Sequence, residues 1–79
     1  MSNEDYTDYQ GYRVKPVVWA DSGTGFWVAG EYVIGWTRGG TYEEKQFAHG
    51  VEYFDTASEA RQATIELAKK SIDMGLVVR

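Results

Sequence analysis

Hydrophobic and polar residues alternate along most of this chain with the two-residue period of β-strands, and change to a helical period only near its end. From Gly11 to Ala20, Tyr12, Val14, Pro16 and Val18 fall on one side and Arg13, Lys15, Val17 and Trp19 on the other, which predicts a strand with one apolar face. Pro16 has no N–H to give to a ladder, so this strand is expected at a sheet edge or bulged there, and a bulge would shift the facing of Val17, Val18 and Trp19. Asp21 to Gly25 is a cluster of turn formers. Phe26 to Thr37 is apolar on both parities, the pattern of a central strand, with Gly30 and Gly35 as places where a bulge could exchange its faces. Gly39-Gly40 then signals a hairpin. The third strand starts at Tyr42 with Glu43, Glu44, Lys45 and Gln46, charges that suit an edge because they discourage pairing with another chain. Ala48 to Gly50 is expected to interrupt it before Val51 to Phe54 resumes.

The helical period begins at Thr56. Thr56 and Glu59 have the spacing of a capping box, and Gly75 follows Met74 where a left-handed C-terminal cap belongs. Lys69 and Lys70 lie at the negative end of the dipole of a helix spanning Thr56 to Met74. Ala57, Ala60, Ala63, Thr64, Leu67, Ala68, Ser71, Ile72 and Met74 share its inner face, opposite Gln62, Glu66, Lys69 and Asp73. Small inner residues let the helix approach a sheet whose tyrosines, phenylalanines and tryptophans fill the space between. Leu76 to Val78 are expected to pack back on the helix end, the alternative being a short fourth strand. The expected fold class is α+β, a three-stranded antiparallel meander with one C-terminal helix on one face (βββα). A single helix leaves the other sheet face uncovered, and that face is where a partner is expected to bind.

Composition narrows the setting. The chain has 79 residues, enough for one domain with a modest core, taken here as residues 11–79 behind an acidic N-terminal tail, 1–10, expected to be flexible. With no cysteine, stability rests on packing, and a reducing compartment is tolerated. Met1 to Gln10 has no apolar run or basic leader, and no stretch reaches the ~18 consecutive apolar residues of a membrane span, so a cytoplasmic location is expected. Of the net charge of −4, Glu4, Asp5 and Asp8 in the tail supply three units. The remainder, at −1, offers no long-range attraction to phosphate.

Little chemistry is written in the residues. His49 is the only histidine and has no recognisable nucleophile motif beside it; no ligand spacing suggests zinc or calcium, and no cofactor is expected. Glu43 and Glu44 are adjacent on a strand, so they point to opposite faces and should not act as an acid–base pair. One constellation combines aromatic and basic character on the outer side: Arg13, Lys15 and Trp19, with Trp27 if it faces the same way. Cations beside exposed rings can hold a single-stranded nucleic acid, or anchor a protein partner.

Three segments, Gly11-Tyr12-Arg13-Val14-Lys15-Pro16-Val17-Val18, Gly25-Phe26-Trp27-Val28-Ala29 and Phe54-Asp55-Thr56-Ala57-Ser58-Glu59-Ala60 leading to Ile72-Asp73, resemble a class of small bacterial domains of unknown function with a G-Y-x-[IV]-x-P strand, a G-x-W-x-A strand and an F-x-T-x-x-E-A helix start. The resemblance implies the same α+β fold and no catalytic residue. The expected function is that of a small soluble, non-enzymatic module contacting a protein or small ligand through the open sheet face, as a monomer or weak homodimer. The alternatives are single-stranded nucleic-acid binding through the same aromatic and basic residues, and a phage-type or regulatory inhibitor presenting an acidic surface.

Overall fold

A computed structural model describes residues 6–77. Four strands, β1 (Thr7–Tyr9), β2 (Tyr12–Ala20), β3 (Trp27–Arg38) and β4 (Thr41–Phe54), form one antiparallel sheet in the order β1-β2-β3-β4, followed by one helix, α1 (Ala57–Asp73). The fold is thus α+β with an antiparallel meander and a C-terminal helix. The fourth strand precedes the expected three instead of following the helix. Thr7, Asp8 and Tyr9 pair with Val14, Arg13 and Tyr12, so the sheet begins inside the segment read as a tail. Residues 1–5 of that tail lie outside the described residues.

Two of the three sheet connections are two-residue hairpins of the same kind. Gln10 and Gly11 have φ of 51° and 84°, and Gly39 and Gly40 have 59° and 83°, the pair of positive angles of a type I′ turn. The longer link between β2 and β3 is held by Asp21, whose carboxylate accepts from the Thr24 hydroxyl (2.7 Å) and whose carbonyl accepts from the Gly25 N–H (2.8 Å).

Register decides the faces. Between Val17 and Val18 of β2, and between Ala48 and Glu52 of β4, the ladder shifts around Gly30 of β3. Of the places where a bulge was expected, Gly30 carries it and Pro16 and Gly35 do not, and the interruption expected at Ala48 to Gly50 is its counterpart in a continuous β4. A Cβ on Gly30 would stand 2.6 Å from the Gly50 carbonyl oxygen, closer than any side chain allows. Pro16 pairs with Tyr32 in the second strand of the sheet; beyond Val14, however, no described residue is paired with the other flank of β2.

Under α1 lie Tyr12, Val14, Tyr32, Ile34 and Trp36, with Phe47 at the margin. Ile34 and Val14 are wholly buried, each worth about 1.5–3 kcal/mol against exposure. Tyr32 stacks on Phe47 (5.5 Å between ring centroids), and Tyr12 meets Trp36 edge-on (6.3 Å). The helix fits down on these rings because its contact residues Ala60, Thr64 and Ala68 are small. The Thr64 hydroxyl is satisfied by the Ala60 carbonyl (2.8 Å), and Tyr32 and Ser71 share a hydrogen bond between hydroxyls (2.8 Å). Thr56 caps the helix by accepting from the Glu59 N–H (3.1 Å). At the far end Gly75 (φ 75°) donates to the Ile72 carbonyl and Leu76 to that of Ser71, a Schellman motif. That turn directs Val77 into the core, while Leu76 and Met74, the latter expected on the inner face, are exposed. Neither Leu76 nor Val77 lies in a strand; Val78 lies outside the described residues.

Candidate functional site

The face of the sheet away from α1 divides into two ends. At the first, β2 contributes Arg13 and Lys15, β3 contributes Gly35 and Val33, and β4 contributes Tyr42, Glu44 and Gln46, all brought side by side by the pairings Arg13 to Gly35 to Glu44 and Lys15 to Val33 to Gln46. Tyr6, just ahead of β1, reaches across this surface. Its hydroxyl donates to Glu44 Oε2 (2.7 Å), and its ring lies 4.6 Å from the Arg13 guanidinium and 5.7 Å from Lys15 Nζ. Tyr42 donates to the same Glu44 oxygen (3.0 Å), and Arg13 faces Asp8 (3.7 Å). Gly35 makes room for this meeting: any side chain there would collide with the Tyr42 hydroxyl.

The electrostatics follow from the geometry. Two phenol donors, Tyr6 first and Tyr42 second, hold the Glu44 carboxyl below the usual carboxylate range. In return the Tyr6 hydroxyl is raised, chiefly by its bond to Glu44. The Tyr42 hydroxyl, pressed against the backbone at Gly35, is pushed up to about 12 by desolvation and then by Glu44. The cluster is thus a clip, in which an anion and two cations are already matched by groups of this chain.

At the second end, past the Gly30 bulge, Trp19 pairs with Val28 and Val28 with Tyr53. Cross-strand partners share a face, so two large rings flank a valine. Val28 is only 4% exposed between them, whereas Trp19 is 43% and Tyr53 57% exposed. Val51, in the adjoining bulge of β4, and Phe26, in the turn before β3, are also exposed. Apolar surface here has no cover from this chain's described residues.

Of the four residues singled out from the sequence, Arg13, Lys15 and Trp19 do share the uncovered face. Arg13 and Trp19 are six residues apart on one strand, however, so roughly 20 Å separates them. They belong to different ends. Trp27 is not with them: it pairs with Ala20 and Phe54, one position out of step with Trp19, which puts it on the opposite face, where it is half-buried. The bulge at Gly30 produces this inversion. The residues that sequence reasoning passed over are Tyr6, Tyr42, Glu44 and Tyr53. Tyr6 was hidden in a segment rich in acids, although the Gln10-Gly11 turn and the alternation Tyr6, Asp8 carry the signal of a further strand. Gly35 amid large side chains was the clue that another group approaches there.

Among the described residues no three metal-ligating side chains converge and no pocket is present. Comparison of the chain with family models, with curated protein sequences and with solved structures finds no match.

Proposed function

We propose that this chain is a non-enzymatic binding module that docks a protein partner through the Trp19 end of its uncovered sheet face. The observation that carries the reading is the triplet Trp19, Val28 and Tyr53, two exposed rings beside a buried aliphatic floor. Half-exposed aromatics of this kind supply large contact area at low entropic cost, and Trp and Tyr dominate the energetics of protein interfaces. A flat surface favours a macromolecular partner over a small ligand, which would need a concave site. The alternatives have less support. Nucleic-acid binding requires Arg13 and Lys15 to be available to phosphate, yet both lie on the Tyr6 ring and beside Glu44 and Asp8. An acidic decoy requires unbroken carboxylates, yet Glu44 and Asp8 are interleaved with Arg13 and Lys15. No helix among the described residues is long and apolar enough to cross a membrane.

The test compares two surface variants of the tagged protein, checked for native circular dichroism, in affinity capture from the source cells. The double variant Trp19→Ser, Tyr53→Ser is expected to lose the partners captured by the wild type, and Arg13→Ser, Lys15→Ser to keep them. Capture indifferent to the first variant overturns the reading. Binding of a random oligonucleotide at low salt, lost in the second variant only, would replace it with the nucleic-acid alternative.

A further inference from the structure

The chain makes the same two-residue turn twice, and only one copy suits its residues. Gly39-Gly40 fills both positive-φ positions with glycine, while the β1 to β2 turn puts Gln10 at φ 51°, the sole non-glycine residue with positive φ among those described. An L-residue in that region is strained, and the usual occupant of this position is Asn, Asp or Gly. The strained turn carries the smallest strand. β1 has three residues and, among the described residues, is bonded on one flank only, to β2. Much of what fastens it reaches outside the hairpin: Tyr9 donates to Asp73 of α1 (2.8 Å), Gln10 Nε2 approaches the same carboxylate (3.4 Å), and Tyr6 reaches Glu44 of β4. None of these bonds from Tyr6 and Tyr9 requires β1 to come from the same chain as its acceptors.

An antiparallel hairpin opened at its turn is complementary to a second copy of itself. The register Thr7 to Val14, Asp8 to Arg13 and Tyr9 to Tyr12 can be remade between two chains about a two-fold axis passing between Gln10 and Gly11. We infer that this protein forms a two-fold dimer by exchanging its β1 arms, with Gln10 and Gly11 as the hinge. Straightening the hinge releases the positive φ of Gln10 in both chains. It also lets the strand run on past Tyr12, where the Arg13 to Gly35 register continued brings Gly11 opposite Thr37 and Gln10 opposite Arg38 of β3. Each copy's Tyr6 then lies on Arg13 and Lys15 of the other and donates to its Glu44, so the clip on the uncovered face is assembled from two chains. The inference is independent of the partner proposed for the Trp19 end.

Sedimentation velocity on the full chain, equilibrated after refolding at low and at high concentration, reads the exchange. The wild type is expected to show a concentration-dependent dimer. Gln10→Gly, which suits the closed turn, should weaken dimerisation roughly thirty-fold because two hinges are relieved. Gln10→Pro, which cannot take a positive φ, should be dimeric throughout. A second measurement does not depend on the turn variants folding: in this cysteine-free chain, Asp8→Cys with Arg13→Cys places one thiol pair across β1 and β2. Oxidation should cross-link the dimer fraction between chains and close within the chain in the monomer fraction. A wild type monomeric at every concentration overturns the inference, as does a dimer unaffected by Gln10→Gly whose thiol pairs close only within chains.

Discussion

The two ends of the uncovered sheet face are built from the same three strands, β2, β3 and β4, yet one is finished by the chain's own side chains and the other is left bare. At the Arg13 end, Tyr6 and Tyr42 converge on Glu44 and the cations settle on a ring. At the Trp19 end, two rings flank Val28 with none of the described residues above them. The difference lies in what crosses the surface. Among the described residues β1 begins opposite Val14 of β2, and the tyrosine just ahead of it lies over the first half. It also shows that a cation in a binding-like pattern is not thereby an available cation, because a neighbouring strand can match it first.

The strongest way to break the contrast is to remove the bulge that inverts the second half. Gly30→Val places a side chain against the Gly50 carbonyl and should cost about 3 kcal/mol in chemical denaturation. If the variant folds, its register is expected to turn Trp27 toward the uncovered face, which tryptophan quenching by a soluble quencher would show; unchanged quenching would mean that Gly30 does not set the faces.

The clip is the next target. Glu44→Ala leaves Tyr6 and Tyr42 to water and should destabilise by about 1 kcal/mol, with the environment of Trp19 unchanged. Its pH dependence follows from the shifts. Glu44 titrates below its unfolded value, so its contribution is present above that value, near 4.5, and is lost as pH falls through the lower folded one. Tyr42 titrates above its unfolded value of 10.0, so its contribution is complete below 10 and is lost as pH rises toward about 12. Unfolding midpoints measured across pH should therefore show the wild type and Glu44→Gln converging in acid. Phenolate absorbance should lose its highest-pH component in Tyr42→Phe. A gap that persists unchanged into acid would show that Glu44 contributes nothing through its charge.

The smallest effect on stability is expected where the effect on binding is largest. Trp19→Ser removes a half-exposed ring and should shift stability by about 0.5 kcal/mol or less. A loss of several kcal/mol would make Trp19 a core residue and end its role as an anchor.

Much of the architecture could be read from residue order. The helix between Thr56 and Gly75 carried its own caps, and the structure returns the Thr56 and Gly75 bonds that the spacing implied. Gly39-Gly40 announced its hairpin, and the two-sided apolar pattern of β3 matched an interior strand. What went unread had different causes. β1 escaped because three residues, one of them an acid, carry too short an alternation to stand out. Trp27 could be joined to Trp19 only conditionally, because alternation alone does not say which of Pro16, Gly30 and Gly35 carries the bulge. Glu44 looked like a solvated edge charge because its two phenol partners arrive from 38 positions away and from within its own strand.

Local pattern, therefore, determined which segments extend, which one coils and where each stops, since caps, turns and periodicity act over a few neighbouring residues. Only the tertiary structure decided which side chains share a surface. A one-residue bulge inverts every position beyond it, and cross-strand neighbours are set by register. In this chain that meant the tail's Tyr6 covering Arg13 and Lys15, and Trp19, not Trp27, standing open beside Val28 and Tyr53.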